Sequence, residues 1–249
     1  MSQVPIFVIN LEKSLDRREF ICEQFKSFPA IEYQFFNAIN GKENPDYPLF
    51  AKYNEKERFK RKGNTMNFSQ LGCWASHYRL WEKCLELDTP IIVLEDDAIL
   101  HSHFAEVYQF INSAENKFEF FWLSPPAPKA REQKGKTVLD IQNINCKVER
   151  FYKGWGNTTG YFITPQAAKK LLNYAKEWIY EVDITMERYW ENRLNFLAIT
   201  PFCLEPDFSK ESNIPVDKGK NSRTMIIKLR REYYKIKDNI KKSLFNVHA

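Results

Sequence analysis

The chain has 249 residues, 43% of them hydrophobic and 28% charged, and carries a net charge of +5. That length and apolar content fit one main α/β domain with an appendage better than two independent domains. No run approaches the roughly 18 consecutive apolar residues of a membrane span, and MSQVPIFVIN has no basic segment ahead of an apolar one, so neither a spanning protein nor a signal peptide is expected. The cysteines, Cys22, Cys73, Cys84, Cys146 and Cys203, are odd in number and form no CxxC pair. They argue against a disulfide framework or a zinc site and for a reducing cytoplasm.

In chain order, VPIFVINL (4–11) reads as a buried first strand, and EKSLDRREFICEQFKSF as a helix with Pro29 just beyond it. IEYQFFNAING reads as a second strand ending at Gly41, and 41–63 as a loop or short irregular helices. NFSQLGCWASHYRLWEKCLEL is helical, with Ser69 as the expected N-cap, Trp74, Tyr78 and Trp81 as core, and Pro90 barring continuation. PIIVLEDDAIL is then a strand running into acids, HFAEVYQFINSAEN a helix and FEFFWLS a strand. Residues 125–145 form a long loop or hairpin excursion. GWGNTTGYFIT places Gly154, Gly156 and Gly160 within seven positions, a concentration that indicates backbone approaching something closely. PQAAKKLLNYAKEW is a helix with Pro165 in its first turn, DITMERYWENRL another, and NFLAITPFCLE a late strand. Strands alternating with helices predict a mostly parallel sheet flanked by helices on both faces.

In such a sheet, ligands bind at the carboxyl ends of strands, which is where Glu95, Asp96 and Asp97 fall. Strand alternation puts Glu95 and Asp97 on one side and Asp96 on the other, unless the strand has already turned. Two carboxylates on one side make a hard-oxygen site for Mg²⁺ or Mn²⁺. The bland alternative is an acidic cluster that caps a helix or pairs with lysines. Three adjacent acids on a buried strand favour the metal, because like charges this close destabilise the fold unless a cation offsets them.

The order of IFVINLEKSLDRR, FNAING, LGCWASHYRLWEKCLE, IIVLEDDAIL, NTTGYFITPQAAKKLL and VDI resembles glycosyltransferase family 25, the group containing bacterial lipooligosaccharide galactosyl- and glucosyltransferases. The likeness covers about Pro5 to Ile214. It implies a GT-A-type, Rossmann-like domain, placed over 1–215; the basic segment over 216–249 reads as a separate tail on its own pattern. It also implies an inverting, Mn²⁺- or Mg²⁺-dependent transfer of a hexose onto a lipid-linked lipooligosaccharide or lipopolysaccharide core, from UDP-galactose or alternatively UDP-glucose. EDD would be this chain's form of the metal-binding DxD motif, with Asp97 as the direct ligand and Asp96 and Glu95 beside it. Asp183 in EVDITMERYW matches the family's acid and is the candidate general base, with Glu181 in reserve. A helix N-cap is the alternative role for Asp183.

Asn10, Leu11, Arg17, Ala38, Asn40, Gly41 and His77 are candidate donor contacts, as are Glu95, Asp96, Thr158 and Thr159. Arg17 or Arg18 could reach the diphosphate. Trp155 and Thr158 to Tyr161 could line a sugar pocket, or Trp155 could be core. Two other readings compete: a metal-dependent phosphohydrolase, which the four histidines scarcely supply with ligands, and a sugar- or nucleic-acid-binding module without turnover.

From Lys220 to Lys242 there are nine basic residues against Glu232 and Asp238, so the rest of the chain is slightly acidic. Ile226, Leu229, Tyr233, Ile236, Ile240 and Leu244 recur every three or four residues through this segment. It reads as a basic amphipathic helix, and 222–245 could lie on the anionic inner-membrane surface of a cytoplasmic, peripheral protein. The same stripe could instead pack on the sheet domain or on a second copy of the chain. Nucleic acid fits less well, because the body is acidic and carries no recognition motif.

Overall fold

The computed structural model describes residues 3–209 and 224–248. The expected boundary between residues 215 and 216 lies outside the described residues. The first unit forms as its pattern requires: β1 (Ile6–Asn10) is buried throughout, α1 (Leu15–Lys26) turns Ile21 and Phe25 inward, and β2 (Tyr33–Asn37) pairs parallel to β1. β2 ends short of Gly41. The polar stretch that follows holds a 3₁₀ turn (Pro48–Lys52) and α2 (Glu55–Lys62), which stops at left-handed Gly63.

α3 (Phe68–Leu87) is capped by Asn67 rather than Ser69. The Asn67 side chain accepts from the Gln70 N–H and the Gln70 side chain accepts from the Asn67 N–H, a reciprocal box that Ser69, one residue inside the helix, could not make. β3 (Ile91–Glu95), β4 (Ala98–Leu100), α4 (Phe104–Ile111) and β5 (Phe120–Trp122) follow. The 125–145 excursion is a hairpin, β6 (Lys136–Asp140) pairing antiparallel with β7 (Lys147–Arg150). The chain then returns as β8 (Gly160–Ile163) and α5 (Pro165–Tyr174).

Three expected single elements are each divided. PIIVLEDDAIL forms β3 and β4, because the chain turns at Asp96 and Asp97. DITMERYWENRL forms α6 (Val182–Met186) and α7 (Tyr189–Asn192), because Glu187 and Arg188 between them are drawn into separate tertiary contacts, described below. The late strand forms β9 (Leu197–Thr200) and β10 (Leu204–Pro206), on either side of Pro201. The last helix, α8, spans Met225–His248.

The main sheet has the order β2-β1-β3-β8-β5-β9-β7-β6, and β10 and β4 form a separate antiparallel pair. Six of its eight strands point the same way; β8 and β7 are reversed. The reversal of β8 is the departure that matters. After the hairpin the chain re-enters from the carboxyl edge, so β8 runs downward between β3 and β5 and starts level with the end of β3. Both faces of the sheet are covered. Trp74, Trp81 and Tyr78 of α3 are core as expected, Trp74 stacking on Trp178 at 4.5 Å, while Phe25, Phe104, Val107 and Phe121 fill the other face.

The loop after β2 lies directly on the start of α3. A Cβ at Gly72 would come within 2.3 Å of the Ile39 carbonyl oxygen, and one at Gly41 within 1.9 Å of the Phe68 carbonyl oxygen. Backbone meets backbone there, so glycine is required on both sides.

α8 rests on α2 and α7, but not through its apolar stripe. Ile226, Leu229, Tyr233, Ile236, Ile240 and Leu244 are all exposed, so the reading in which the stripe packs on the sheet domain is not met. The helix is held by its opposite face: Asp238 takes both terminal nitrogens of Arg188 at 2.7 Å, and the Tyr189 hydroxyl donates to Asn246 Oδ1.

Gly72→Ala should destabilise the protein by about 1–3 kcal/mol, the usual cost of forcing a methyl group into packed backbone. Urea denaturation of the variant against the native chain measures it.

Candidate active site

The carboxyl edge of β1 and β3, the loop after β2 and one face of α3 enclose a cavity of about 270 Å³. Its walls include Leu11, Arg17, Ala38, Asn40, Gly41, His77, Glu95, Asp96 and Asp97. Residues scattered from 11 to 97 in the sequence therefore converge on one hollow. Asn10 stands just behind it, Thr158 and Thr159 touch Glu95 from the segment leading into β8, and Asp183 lies outside the lining.

β3 ends at Glu95, and Asp96 and Asp97 form the turn into β4, so strand alternation no longer orders the three acids. Each has a different environment. Asp96 is neutralised: Arg17 Nη1 donates to Oδ1 and Asn10 Nδ2 to Oδ2, both at 2.8 Å. The ion-pair side chains are only about a tenth exposed, 13% and 11%. Burial works to raise the Glu95 carboxyl, but hydrogen bonds from His77 and Thr158, with the charge of Arg17, outweigh it and hold Glu95 below the ordinary glutamate value. At Asp97 the charge of Arg17 and a backbone N–H pull the same way but are outweighed. Burial first, then the charges of Glu95 and Asp96, push its carboxyl up to about 7. Its Oδ1 is buried without a hydrogen-bond partner, and among the described residues it forms no ion pair.

His77 is fixed by a relay. Trp81 Nε1–H donates to the Tyr161 hydroxyl at 3.0 Å, that hydroxyl lies 2.9 Å from His77 Nδ1, and His77 Nε2 lies 3.3 Å from Glu95 Oε1. Every group is satisfied if Tyr161 donates to Nδ1 and Nε2–H donates to Glu95. Tyr161 and Trp155 are therefore core rather than sugar-pocket walls; Trp155 stacks on Trp122 at 5.7 Å and is 1% exposed. Arg18 sits over the Phe35 ring, leaving Arg17 as the arginine at the cavity.

Cys73, not among the residues expected at the site, has its sulfur within 4.8 Å of ligand atoms of His77 and Glu95. The signal was its position one helical turn before His77. Burial and the surrounding acids push its thiol far above the ordinary value, so it stands there as a neutral neighbour of the carboxylates. Glu187 is likewise not among the expected residues. It accepts the N–H groups of Trp155 and Gly156, and this clamp is what the glycine-rich segment approaches closely. A Cβ at Gly154 would meet Glu187 Oε2 at 3.1 Å, and Gly156 has a left-handed φ of 62°.

Asp183 faces Gly156 across this loop: a Cβ there would lie 4.0 Å from Asp183 Oδ2. Asp183 is not the N-cap of α6. Glu181 occupies that position, and Asp183, the second helical residue, accepts the Ile184 N–H at 2.7 Å. Burial, then the charges of Glu187 and Glu181, raise the Asp183 carboxyl to about 7. Glu181, the reserve base, behaves oppositely: burial opposes its ionisation, but the ion pair with fully buried Arg58 holds it below the ordinary value. A larger cleft of about 830 Å³ lies under α8, lined by Thr185, Trp190 and Arg193 among others, and contains none of these acids. His101 pairs with Glu205 and His103 faces the Pro201 carbonyl, so neither adds a ligand to the cavity, as a phosphohydrolase would need.

The sequence profile described as glycosyltransferase family 25 (LPS biosynthesis protein) matches residues 3–186. The chain belongs to this family. The lipooligosaccharide biosynthesis protein lic2B of Haemophilus influenzae is 23% identical to it, over 96% of this chain and 95% of that protein. A glycosyltransferase 25 family member of Drosophila pseudoobscura is 28% identical over 67% of this chain and 26% of its own length, and human procollagen galactosyltransferase 2 is 26% identical over 67% and 27%. The family 25 chain described here thus spans about a quarter of the length of those animal relatives. Among its described residues, no helix is long and apolar enough to cross a membrane.

Asp97 and Asp183 bind protons more readily folded, near pH 7, than unfolded, near pH 4. Their contribution to stability is complete below about pH 4 and is lost as the pH rises to about 7. Asp97→Asn should therefore raise stability at about pH 8 by roughly 1–2 kcal/mol relative to the native chain, with little effect near pH 4. Thermal melts at both pH values test this. Added Mn²⁺ should raise the native melting temperature at the higher pH and leave the variant nearly unchanged.

Proposed function

We propose that this family 25 chain is an inverting glycosyltransferase with a GT-A-type domain, moving a hexose from a UDP-sugar to a hydroxyl of a lipooligosaccharide core. UDP-galactose is the donor we favour, in keeping with the galactosyltransferase among its relatives; UDP-glucose is the alternative. Similarity along almost the whole of lic2B supports the acceptor class. A cytoplasmic site of action agrees with five free cysteines. The observation that carries the reading is that two carboxyl groups, Asp97 and Asp183, sit near pH 7 in one region without a cationic partner, while the acids beside them, Asp96 and Glu181, are paired with arginines. Groups left in that condition commonly mark a reaction centre.

The residues fit a hard divalent cation, because the buried Oδ1 of Asp97 lacks any partner and the Glu95 carboxylate is held ionised beside it. Asp97 and Glu95 would hold Mn²⁺ or Mg²⁺, which supplies positive charge to the diphosphate oxygens and so improves UDP as a leaving group. Asp96 serves differently: tied to Asn10 and Arg17, it keeps the arginine turned toward the cavity. Arg17 then offers a fixed charge to the donor phosphates. Ala38 to Gly41 form the opposite wall, held against α3 by the glycine contact.

Asp183 acts on the acceptor. As the acceptor oxygen bonds to the anomeric carbon and the bond to the UDP oxygen breaks, the hydroxyl proton passes to Asp183. A carboxylate poised near 7 is a stronger base than an ordinary aspartate, and the Ile184 N–H holds its orientation. Glu187 supports this step by fixing Gly156 beside it.

UDP release from UDP-galactose and UDP-glucose, with Mn²⁺ or EDTA, tests the reading; absence of Mn²⁺-dependent release, with or without an oligosaccharide acceptor, would refute it. Turnover should rise with pH through about 7 and then level off. Asp183→Asn should lower turnover by about 10²- to 10⁴-fold, spare donor affinity and abolish that inflection.

A further inference from the structure

α8 is docked on the rest of the chain with its polar and aromatic face inward. Arg61 stacks over Tyr234, Arg188 grips Asp238, Lys242 lies over Tyr189 and Trp190, and Phe245 meets the Tyr189 ring edge-on. The residues that ordinarily drive a helix onto its domain point the other way. Ile226, Leu229, Tyr233, Ile236, Ile240 and Val247 are between 56 and 79% exposed and line one side of a helix about 36 Å long, with Leu244, 58% exposed, at the stripe's edge where it also borders the cleft under the helix. A continuous apolar stripe of this size on a surface marks a contact with something else.

The rim of the stripe identifies the occupant. Lys228, Lys235 and Lys237 are exposed beside it, and Glu232, the acid on that side, is already shared with Lys235 at 3.6 Å. A second copy of α8 could match the three-four spacing of the stripe, but it would bring two positive rims together. An anionic lipid surface accepts both features at once: acyl chains take the apolar side chains, and headgroups offset the lysines.

We propose that α8 lies in the headgroup layer of an anionic bilayer, with its apolar stripe toward the lipid and its opposite face carrying the catalytic body. The attachment is directed. Arg188 joins α8 to the chain immediately after Glu187, the residue that clamps Gly156 beside Asp183, so the candidate base is held at a set orientation to the membrane. This inference rests on the packing of α8 and not on the donor or the reaction assigned above.

Co-sedimentation of the full chain with vesicles tests it, using phosphatidylcholine mixed with phosphatidylglycerol against phosphatidylcholine alone. The native chain should bind the anionic vesicles. Ile236→Asp together with Ile240→Asp should lower binding to them by at least about tenfold, while melting temperature and UDP release in solution stay unchanged. Replacing Lys228, Lys235 and Lys237 by serine should cost roughly fivefold per residue on anionic vesicles and little on neutral ones. Failure of the native chain to sediment with anionic vesicles would overturn the proposal, as would undiminished binding by both variants. So would a dimer in lipid-free buffer that the two aspartates split, without vesicle binding, since a second copy would then cover the stripe.

Discussion

The buried pair between Arg17 and Asp96 is the interaction on which the site depends. A strand that delivers three consecutive acids to the edge of a core must offset their repulsion, and one arginine from α1 forms its ion pair with Asp96 while its charge acts more weakly on the other two. By taking Asp96, with Asn10 on its other oxygen, Arg17 leaves the first and third acids in different states: Glu95 ionised through His77 and Thr158, and Asp97 with an unpartnered oxygen. The chain thereby keeps negative charge at this edge without leaving all three acids uncompensated. Removing the arginine would cost both the neutralisation and a cavity-facing positive charge set by an ion pair.

The reversal of β8 has equal reach. Because it starts where β3 stops, Gly160 pairs with Leu94, the Thr159 carbonyl accepts the Glu95 N–H, and the Thr158 hydroxyl reaches the Glu95 carboxylate. Tyr161 on the same strand completes the relay to His77. Strand direction thus sets the ionisation of an acid more than sixty residues away in the sequence.

A similar division of labour governs α6. Glu181 and Asp183 are two residues apart and chemically alike, yet Arg58 of α2 claims the first and none of the described cations claims the second. The helix stops soon afterwards, because Glu187 turns back to the Trp155 and Gly156 amides and Arg188 turns out to α8. One short break therefore connects the glycine loop, the candidate base and the terminal helix.

Much of this was legible in the amino-acid order. Apolar runs and helical spacing located the strands and helices, EDD located the acidic edge, and seven of the candidate donor residues together with Asp97 line one cavity in addition to His77. Local patterns carry that information because burial acts on each segment with its own period. What the order of residues could not convey was which partner each polar group would find. Asn67 rather than Ser69 caps α3, Trp155 is core, Cys73 adjoins His77 and Glu95, and the apolar side of α8 faces outward. The sequence by itself determined the elements, the family and the cluster of acids. Only the tertiary structure decided which acid is paired, which is free and which strand is reversed, because a carboxylate's state depends on charges and hydrogen bonds brought to it from distant parts of the chain.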